Sequence, residues 1–356
     1  MALEAEVIKE ISYPTTMDWN LAEAWADGIP LFGENDPLRP EWQPTPVVPF
    51  DLRPEGYGLV YIKDESDQKS NPTRTIKDRA AWELATLHRD YARSLQLKNR
   101  SLTSISSLRV PRVTYITAGN MGRALANMFE KYHLPPIKLL VDASIPPERL
   151  ARLQSLHADI YCTDLKNKVL VPEEIKRLTN NKHGIDLTSV IMIEPQAVLY
   201  DWHVHEVFNE NPDEIFVPYG SGRLFENYLT HQMRNARARD PRFSVSNGRV
   251  ANLSILGAEP RKQDSIADKL TKSCNPFVLL EDQDIAALGA FVFTGKNTGV
   301  YKVAEENIEQ AYHLLSKQCP TEPSGAAGLA LYLQRFEEGL INPQHKILVV
   351  NTGKGI

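Results

Sequence analysis

The stretch that decides the fold class runs from residue 113 to residue 132. It opens with Val113-Thr114-Tyr115-Ile116-Thr117, a short β-branched run that predicts a strand. Gly119-Asn120 then breaks the strand, and residues 121–132 show the apolar spacing of an amphipathic helix. The stretch therefore predicts one strand–loop–helix unit of an α/β fold.

The same alternation continues along the rest of the chain. Helices are predicted at 121–132, 147–156 and 223–235, and further strands at 137–141, 158–162, 190–193, 214–217, 253–257 and 346–350. Short strands that alternate with helices predict βαβ units and a mainly parallel sheet. Residues 28–60, rich in proline and glycine, are interpreted as an irregular entry segment, and residues 238–250 as an exposed loop.

Composition excludes several classes of protein. With 356 residues, the chain is long enough for two domains or one large α/β unit. The fractions of hydrophobic (42%) and charged (24%) residues are those of a globular protein, not of a disordered or collagen-like chain. A net charge of −5, from 40 Lys and Arg against 45 Asp and Glu, argues against a nucleic-acid-binding protein.

Cysteine usage and the ends of the chain indicate a compartment. The three cysteines include no C-x-x-C pair, so neither a zinc ribbon nor a redox pair is predicted, and a reducing compartment is favoured. The amino terminus is acidic and lacks the basic-then-apolar order of a signal peptide. The longest apolar runs are too short to span a bilayer. We therefore expect a cytoplasmic protein without membrane or nucleic-acid partners.

One histidine pair invites a metal assignment that the geometry opposes. In His203-x-His205-Glu206, two ring side chains on one helix point about 200° apart and cannot share an ion. No metal site is predicted, and a structural or solvated role is preferred. Tyr200 and Trp202, just before the pair, are interpreted as packing residues.

Four segments could carry chemistry, because ligands of parallel α/β sheets bind at the carboxyl ends of strands. The first is Ser70-Asn71-Pro72-Thr73-Arg74-Thr75-Ile76-Lys77-Asp78-Arg79. Thr75 and Asp78 predict a helix N-cap with a capping-box partner, which places Lys77 in the first helical turn. The positive end of the helix dipole favours the uncharged amine that attacks an aldehyde. The alternative is a surface lysine between Asp78 and Glu65.

The other three segments are weaker signals when taken singly. Thr117-Ala118-Gly119-Asn120 forms a compact donor loop that suits a carboxylate or a phenolic oxygen. Gly220-Ser221-Gly222-Arg223-Leu224 follows a strand and opens a helix, as a phosphate-binding loop does, but it matches neither a dinucleotide fingerprint nor a P-loop. Near the carboxyl terminus, a buried strand ends in Thr352-Gly353 and presents a hydroxyl.

In this order, the segments resemble the fold type II pyridoxal-phosphate enzymes, the family of threonine synthase, threonine/serine dehydratase and cysteine synthase. Lys63-x-Glu65 with residues 71–79 is similar to the family's cofactor-lysine motif. Residues 117–120 resemble its asparagine loop, residues 220–224 its phosphate loop, and Thr352 the hydroxyl residue that meets the pyridine nitrogen. The likeness covers nearly all of residues 45–356.

The resemblance implies an architecture and a set of roles. It implies two α/β domains with mainly parallel sheets and the cofactor in the cleft between them, a large one of 1–77 and 196–356 and a small one of 78–195. Lys77 would form the Schiff base and remove the substrate's α-proton. The remaining roles implied are cofactor contacts at Asn120, Gly220, Ser221, Gly222, Arg223, Leu224 and Thr352, and substrate contacts at Thr117, Ala118, Gly119, Arg74 and Thr75.

The chain departs from the family pattern at Arg74, Ala118 and Arg223, where the family usually has glycine, serine and glycine. The two arginines could bind a second anion on the substrate, or their side chains could point away and leave only the backbone at the ligand. Both readings stay open.

The resemblance implies elimination or replacement at the β or γ carbon of an amino acid, as in threonine synthase and the dehydratases. A neutral hydroxyl at Thr352 cannot keep a proton on the pyridine nitrogen, which favours loss of a leaving group over transamination. The alternatives are a cysteine-synthase-like β-replacement with sulfide and a cofactor-binding member with little activity. A small amino-acid substrate and a homodimer are expected.

Overall fold

The computed structural model describes residues 43–99, 111–117, 119–132, 134–165, 170–182, 184–188, 199–237, 253–271 and 297–355. The chain divides into two compact units, one with Ala80–Glu194 and the other with Trp42–Arg79 and Pro195–Gly355. The domain limits drawn from the resemblance stay a prediction for the whole chain. Residue 118, the predicted strand 190–193 and the predicted loop 238–250 lie outside the described residues.

Strands and helices alternate along the described chain. The strands are β1 (Val47–Asp51), β2 (Leu59–Asp64), β3 (Val113–Ile116), β4 (Ile137–Asp142), β5 (Ala158–Thr163), β6 (Ile185–Asp186), β7 (Glu214–Pro218), β8 (Ser254–Pro260), β9 (Gly299–Val303) and β10 (Ile347–Asn351). The helices are α1 (Lys77–Asn99), α2 (Asn120–Lys131), α3 (Pro147–Gln154), α4 (Pro172–Leu178), α5 (Asp201–Asn209), α6 (Arg223–Arg237), α7 (Glu305–Leu315) and α8 (Pro323–Glu337). The predicted α/β class is confirmed.

The smaller of the two sheets belongs to the unit that contains Ala80–Glu194. Its four strands run parallel in the order β5-β4-β3-β6. All residues of β3 are buried, as expected of a strand covered on both faces of a parallel sheet. Here the predicted strand at 113–117 ends one residue early, at Ile116.

The larger sheet belongs to the second unit and has six strands in the order β1-β2-β10-β7-β8-β9. Strand β1 pairs antiparallel with β2, and every other neighbouring pair is parallel. The carboxyl ends of β2, β10 and β7 therefore lie at the same end of the sheet, next to one another. This arrangement fixes where the connecting loops meet.

The prediction of an irregular segment up to residue 60 is wrong for residues 47–51, which form β1. The irregular segment was inferred from the proline and glycine content of residues 28–60, and Pro49 is one of these prolines; proline cannot donate to a ladder. In the fold, β1 is the edge strand of its sheet, where the missing donor at Pro49 is tolerated.

Small residues in α8 bring this helix close to the sheet. A Cβ on Gly325 would lie 2.7 Å from the carbonyl oxygen of Gly353, and one on Gly328 would lie 2.8 Å from that of Phe216. Neither position has room for a side chain. This close approach supports the chain directly after β10.

None of the helices in the described ranges is both long enough and apolar enough to cross a membrane.

Candidate active site

Three of the four predicted segments follow neighbouring parallel strands of the larger sheet. The loop before Lys77 follows β2, Thr352 follows β10, and Gly220-Ser221-Gly222 follows β7. Because β10 lies between β2 and β7, the three segments start at adjacent positions at the carboxyl end of one sheet. These three motifs thus lie within one compact unit.

The loop that leads to Lys77 is hydrogen-bonded to the chain after β10. The amide of Ile76 donates to the carbonyl of Thr352 at 3.1 Å, and the amide of Lys354 donates to the carbonyl of Arg74 at 3.0 Å. Between these bonds lies Gly353, whose φ is 97° and where a Cβ would stand 2.1 Å from the Arg74 carbonyl oxygen. Only glycine fits, and the backbone of Lys77 is thereby held beside Thr352.

Helix α1 begins at Lys77 and is capped by Thr75. The Thr75 hydroxyl accepts a hydrogen bond from the Lys77 amide at 3.1 Å, so the predicted N-cap is confirmed. The capping-box contact predicted between Asp78 and Thr75 is replaced by a different one: the Asp78 carboxylate accepts from the amide and the hydroxyl of Thr73, both at 2.8 Å. The two side chains fix the turn that presents Lys77.

The amine of Lys77 is half-buried and contacts Tyr200. Its Nζ donates to the Tyr200 hydroxyl at 3.0 Å, and it lies 5.5 Å from the centroid of that ring. Glu65 and Asp78 are buried and hydrogen-bonded elsewhere, which argues against the alternative of a surface lysine between them. Assigning Tyr200 to packing missed this contact, and no motif around Tyr200 signals it.

A buried ionic cluster lies beside this loop and consists of Lys63, Glu65, Arg79, His203 and Glu206. Arg79 donates to Glu65 at 2.7 Å and binds both carboxylate oxygens of Glu206 at 2.8 Å. Lys63 binds Glu206 at 2.6 Å, and His203 binds Glu65 at 2.7 Å. The cluster joins β2, α1 and α5. His203 and Glu206 are therefore structural, as preferred from sequence.

Burial and charge oppose each other in this cluster. Burial alone would raise the pKa of Glu65, but Arg79 and His203 hold it well below its usual range. The pKa of Glu206 is lowered as well, because hydrogen bonds from Arg79 and the charges of Arg79 and Lys63 outweigh its burial. Desolvation lowers the pKa of His203. A neutral His203 then donates from Nδ1 to Glu65 and accepts the Tyr228 hydroxyl at Nε2, 2.6 Å away.

The glycine loop has the shape of an anion-binding turn. Gly222 has a φ of 81°, and the fifteen-residue helix α6 begins at the next residue. A Cβ on Gly220 would lie 3.3 Å from the carbonyl oxygen of Lys269. Ser221 is half-buried and Leu224 is buried. Backbone amides at such a helix start can converge on a phosphate.

The two unusual arginines have protein partners. Arg74 is exposed, has a φ of 60°, and donates from Nη2 to Gln68 at 2.7 Å. This left-handed backbone explains why glycine suits the position. Arg223 is buried and binds Glu226 on its own helix at 2.7 Å. Binding of a second anion by either side chain stays a prediction, and it requires that side chain to leave or share its partner.

The remaining predicted segment, residues 117–120, lies in the unit with the four-stranded sheet. The Thr117 hydroxyl accepts from the amides of Gly119 at 3.1 Å and Gly122 at 2.9 Å, so this side chain shapes its own loop. Asn120 is the first residue of α2 and is half-buried. Ala118 lies outside the described residues. The roles predicted for Thr117, Gly119 and Asn120 stay predictions.

Within the part of the chain that the structure describes, no group of three or more His, Cys, Asp or Glu side chains is arranged to bind a metal ion.

Comparison with known proteins identifies the class. A family model described as pyridoxal-phosphate dependent enzyme matches residues 38–353, and the chain belongs to this family. The resemblance inferred from the four motifs is confirmed, and so is the family's cofactor, pyridoxal phosphate. A search of curated proteins finds no match.

Solved structures share the fold at low sequence identity. The diaminopropionate ammonia lyase from Escherichia coli is 16% identical with a TM-score of 0.57, over 99% of this chain and 94% of that chain. Serine racemase from Dictyostelium discoideum is 19% identical, with a TM-score of 0.57 over 88% of this chain and 93% of its own. The O-acetylserine dependent cystathionine beta-synthase from Helicobacter pylori is 18% identical, with a TM-score of 0.54 over 88% and 93%.

The residues of the larger sheet fit pyridoxal phosphate chemically. Lys77 offers a primary amine to an aldehyde, Thr352 a neutral hydroxyl to a ring nitrogen, and residues 220–223 backbone amides to a phosphate. The fit depends on the glycines, since a Cβ on Gly220 would crowd Lys269 and Gly222 holds a left-handed φ. The donor set suits the family's cofactor.

We expect Gly222→Val to weaken retention of pyridoxal phosphate by about 10-fold, because a β-branched residue is strained at positive φ and would distort the loop. The measurement is cofactor content by absorbance after gel filtration. Gly339→Val is the matched control: Gly339 has a φ of 69° and open space around its Cβ position, remote from the glycine loop in sequence. Equal retention in both variants would contradict the assignment of this loop.

Proposed function

We propose that this protein is a pyridoxal-phosphate-dependent lyase or transferase that eliminates or replaces a group at the β or γ carbon of a small amino acid. The observation that carries the proposal is the half-buried amine of Lys77 at a helix start, with its loop hydrogen-bonded to the chain that bears Thr352. Family membership supplies the cofactor that this amine would carry.

Each predicted residue has a proposed part. The backbone at Gly220, Ser221, Gly222, Arg223 and Leu224 binds the cofactor phosphate, Thr352 meets the pyridine nitrogen, and Asn120 meets the ring hydroxyl. Residues 117–119 bind the substrate carboxylate through backbone donors, since the Thr117 hydroxyl is already used within its loop. Thr75 and Arg74, in the loop that precedes Lys77, are the proposed substrate contacts on that side of the chain's lysine motif.

The chemistry follows from the amine and the neutral hydroxyl. Bound pyridoxal phosphate supplies an electron sink for the negative charge that remains when the α-proton is removed. Lys77 removes that proton as a general base. Thr352 offers no negative charge to keep the pyridine nitrogen protonated. This favours early departure of a β or γ leaving group over transfer of the amino group to the cofactor.

The structural neighbours support a range of reactions without choosing among them. Their names include an ammonia lyase, a racemase and a cystathionine beta-synthase. The ammonia lyase from Escherichia coli matches along 99% of this chain, but at 16% identity it shows a shared fold and not a shared reaction. The threonine synthase or dehydratase reading remains part of the proposal. Replacement with sulfide and a cofactor-binding protein with little activity are the competing proposals.

A substrate panel tests the proposal. The holoenzyme is mixed with serine, threonine, 2,3-diaminopropionate, O-acetylserine with and without sulfide, and O-phosphorylated serine and homoserine. We expect at least one amino acid to release keto acid and ammonia, or to yield a replacement product. An advantage of the phosphorylated substrates would support the second-anion reading of Arg74 and Arg223. Full cofactor occupancy with no turnover of any substrate would support the inactive alternative and overturn the proposal.

A further inference from the structure

The ε-amine of Lys77 has a defined partner in its own compact unit. Nζ lies 3.0 Å from the Tyr200 hydroxyl but 5.5 Å from the ring centroid. The amine therefore contacts the polar tip of the tyrosine and not the face of its ring. Both side chains are largely withdrawn from water, Tyr200 at 3% exposure and Lys77 half-buried.

Tyr200 is held in place by the helix that it begins. Its carbonyl accepts the amide of Val204 at 3.0 Å, which makes Tyr200 the N-cap of α5. Further along α5, His203 and Glu206 enter the buried ionic cluster. The position of the Tyr200 hydroxyl thus depends on how firmly α5 is anchored.

The two residues that bind α5, Glu65 and Arg79, lie before and after Lys77 in the sequence. His203 binds Glu65, which precedes the lysine loop, and Glu206 binds Arg79, two residues after Lys77. The loop that carries Lys77 and the helix that carries Tyr200 are therefore joined by contacts from residues both before and after Lys77. A lysine side chain loses much rotamer freedom when its amine is fixed, so such a contact must be supported by its surroundings.

We propose that Tyr200 is a positioning residue for the amine of Lys77, an inference that rests on the proposed role of Lys77 as the cofactor-carrying base. The hydroxyl accepts one N–H and keeps the free amine in one orientation. No proton is transferred to Tyr200. The amine is then correctly placed at two moments, when it captures the cofactor aldehyde and when it takes the substrate's α-proton.

The test uses the apoprotein and Tyr200→Phe, which removes the hydroxyl and keeps the ring. The probe is pyridoxal phosphate, and its capture is followed by visible absorbance. We expect capture to be about 10-fold slower, the effect of losing one hydrogen bond to a charged or polar amine. In the holoenzyme, kcat should fall while KM changes little. Tyr312→Phe, on an exposed face of α7, is the matched control and should behave as wild type.

Tyr200→Gln provides a second variant with a different packing shape. Its amide oxygen can accept from Lys77, so we expect it to capture the cofactor faster than Tyr200→Phe. If Tyr200→Gln is the slower of the two, packing of the ring explains the effect and the inference is wrong.

Borohydride reduction of the wild-type holoenzyme separates this inference from the proposed function. An adduct on Lys77 together with unchanged capture by Tyr200→Phe would overturn the inference and leave the proposed function standing. An adduct on another lysine would overturn the proposed function first. An adduct on Lys77 with slower capture by Tyr200→Phe supports both.

Discussion

Lys77→Ala is expected to abolish covalent attachment of pyridoxal phosphate and to lower kcat by about 10²- to 10⁴-fold, the usual contribution of a general acid–base group. The reason is that the variant removes both the amine that joins the cofactor and the proposed base. Binding of the cofactor through its phosphate should persist, because residues 220–224 are unchanged. Borohydride reduction followed by peptide mass analysis measures the attachment, and steady-state assay of the best panel substrate measures kcat.

Lys317→Ala is the control for that experiment, since Lys317 is exposed after helix α7. It should keep both the adduct and the activity. In the wild type, an adduct on Lys63 or Lys354 in place of Lys77 would show that the motif has been misread. Lys63 is a poor candidate on structural grounds, because its amine is buried and bound to Glu206 and to the Thr45 carbonyl at 2.6 Å each.

Arg79→Met is expected to lower the free energy of unfolding by about 3–5 kcal/mol, the cost of leaving a buried carboxylate without its partner. Arg79 is 2% exposed and binds both Glu65 and Glu206, and Met fills the space without supplying a charge. Urea unfolding at neutral pH measures the loss. The exposed pair Arg53–Asp51 offers the control, Arg53→Met, for which only a small change is expected. Similar losses in the two variants would contradict the interpretation.

The dependence of that loss on pH gives a second readout. The folded-state pKa values of Glu65 and Glu206 are lowered below the unfolded value near 4.5. Their contribution to stability is therefore fully present above that pH and is lost as the pH falls through the folded values. The difference between wild type and Arg79→Met should accordingly shrink in acid. A difference that stays constant below about pH 4 would mean that Arg79 acts through packing and not through these carboxylates.

Much of the fold could be predicted because local sequence and tertiary role agree. Residues 137–141 and 158–162 are short, mostly apolar runs with one charged residue each, and they form β4 and β5 with one residue added at the end of each. Strand β1 was missed because its proline is compatible with a strand only at a sheet edge. Whether a strand lies at the edge depends on the order of strands in the sheet, and the local sequence of a strand does not reveal that order.

For the site, sequence alone determined the class of chemistry. The lysine motif, the asparagine loop, the glycine loop and Thr352 in their order indicated a pyridoxal-phosphate enzyme, and the family match confirms it. These segments could be read because the constraints on each are local: a helix start, a positive φ at Gly222, a strand end. The tertiary structure decided what lies next to them. Tyr200 is 123 residues from Lys77 in sequence, and Glu206 is 127 from Arg79. Such partners carry no local signature, since only the packing of α5 beside β2 and α1 brings their side chains within hydrogen-bonding distance.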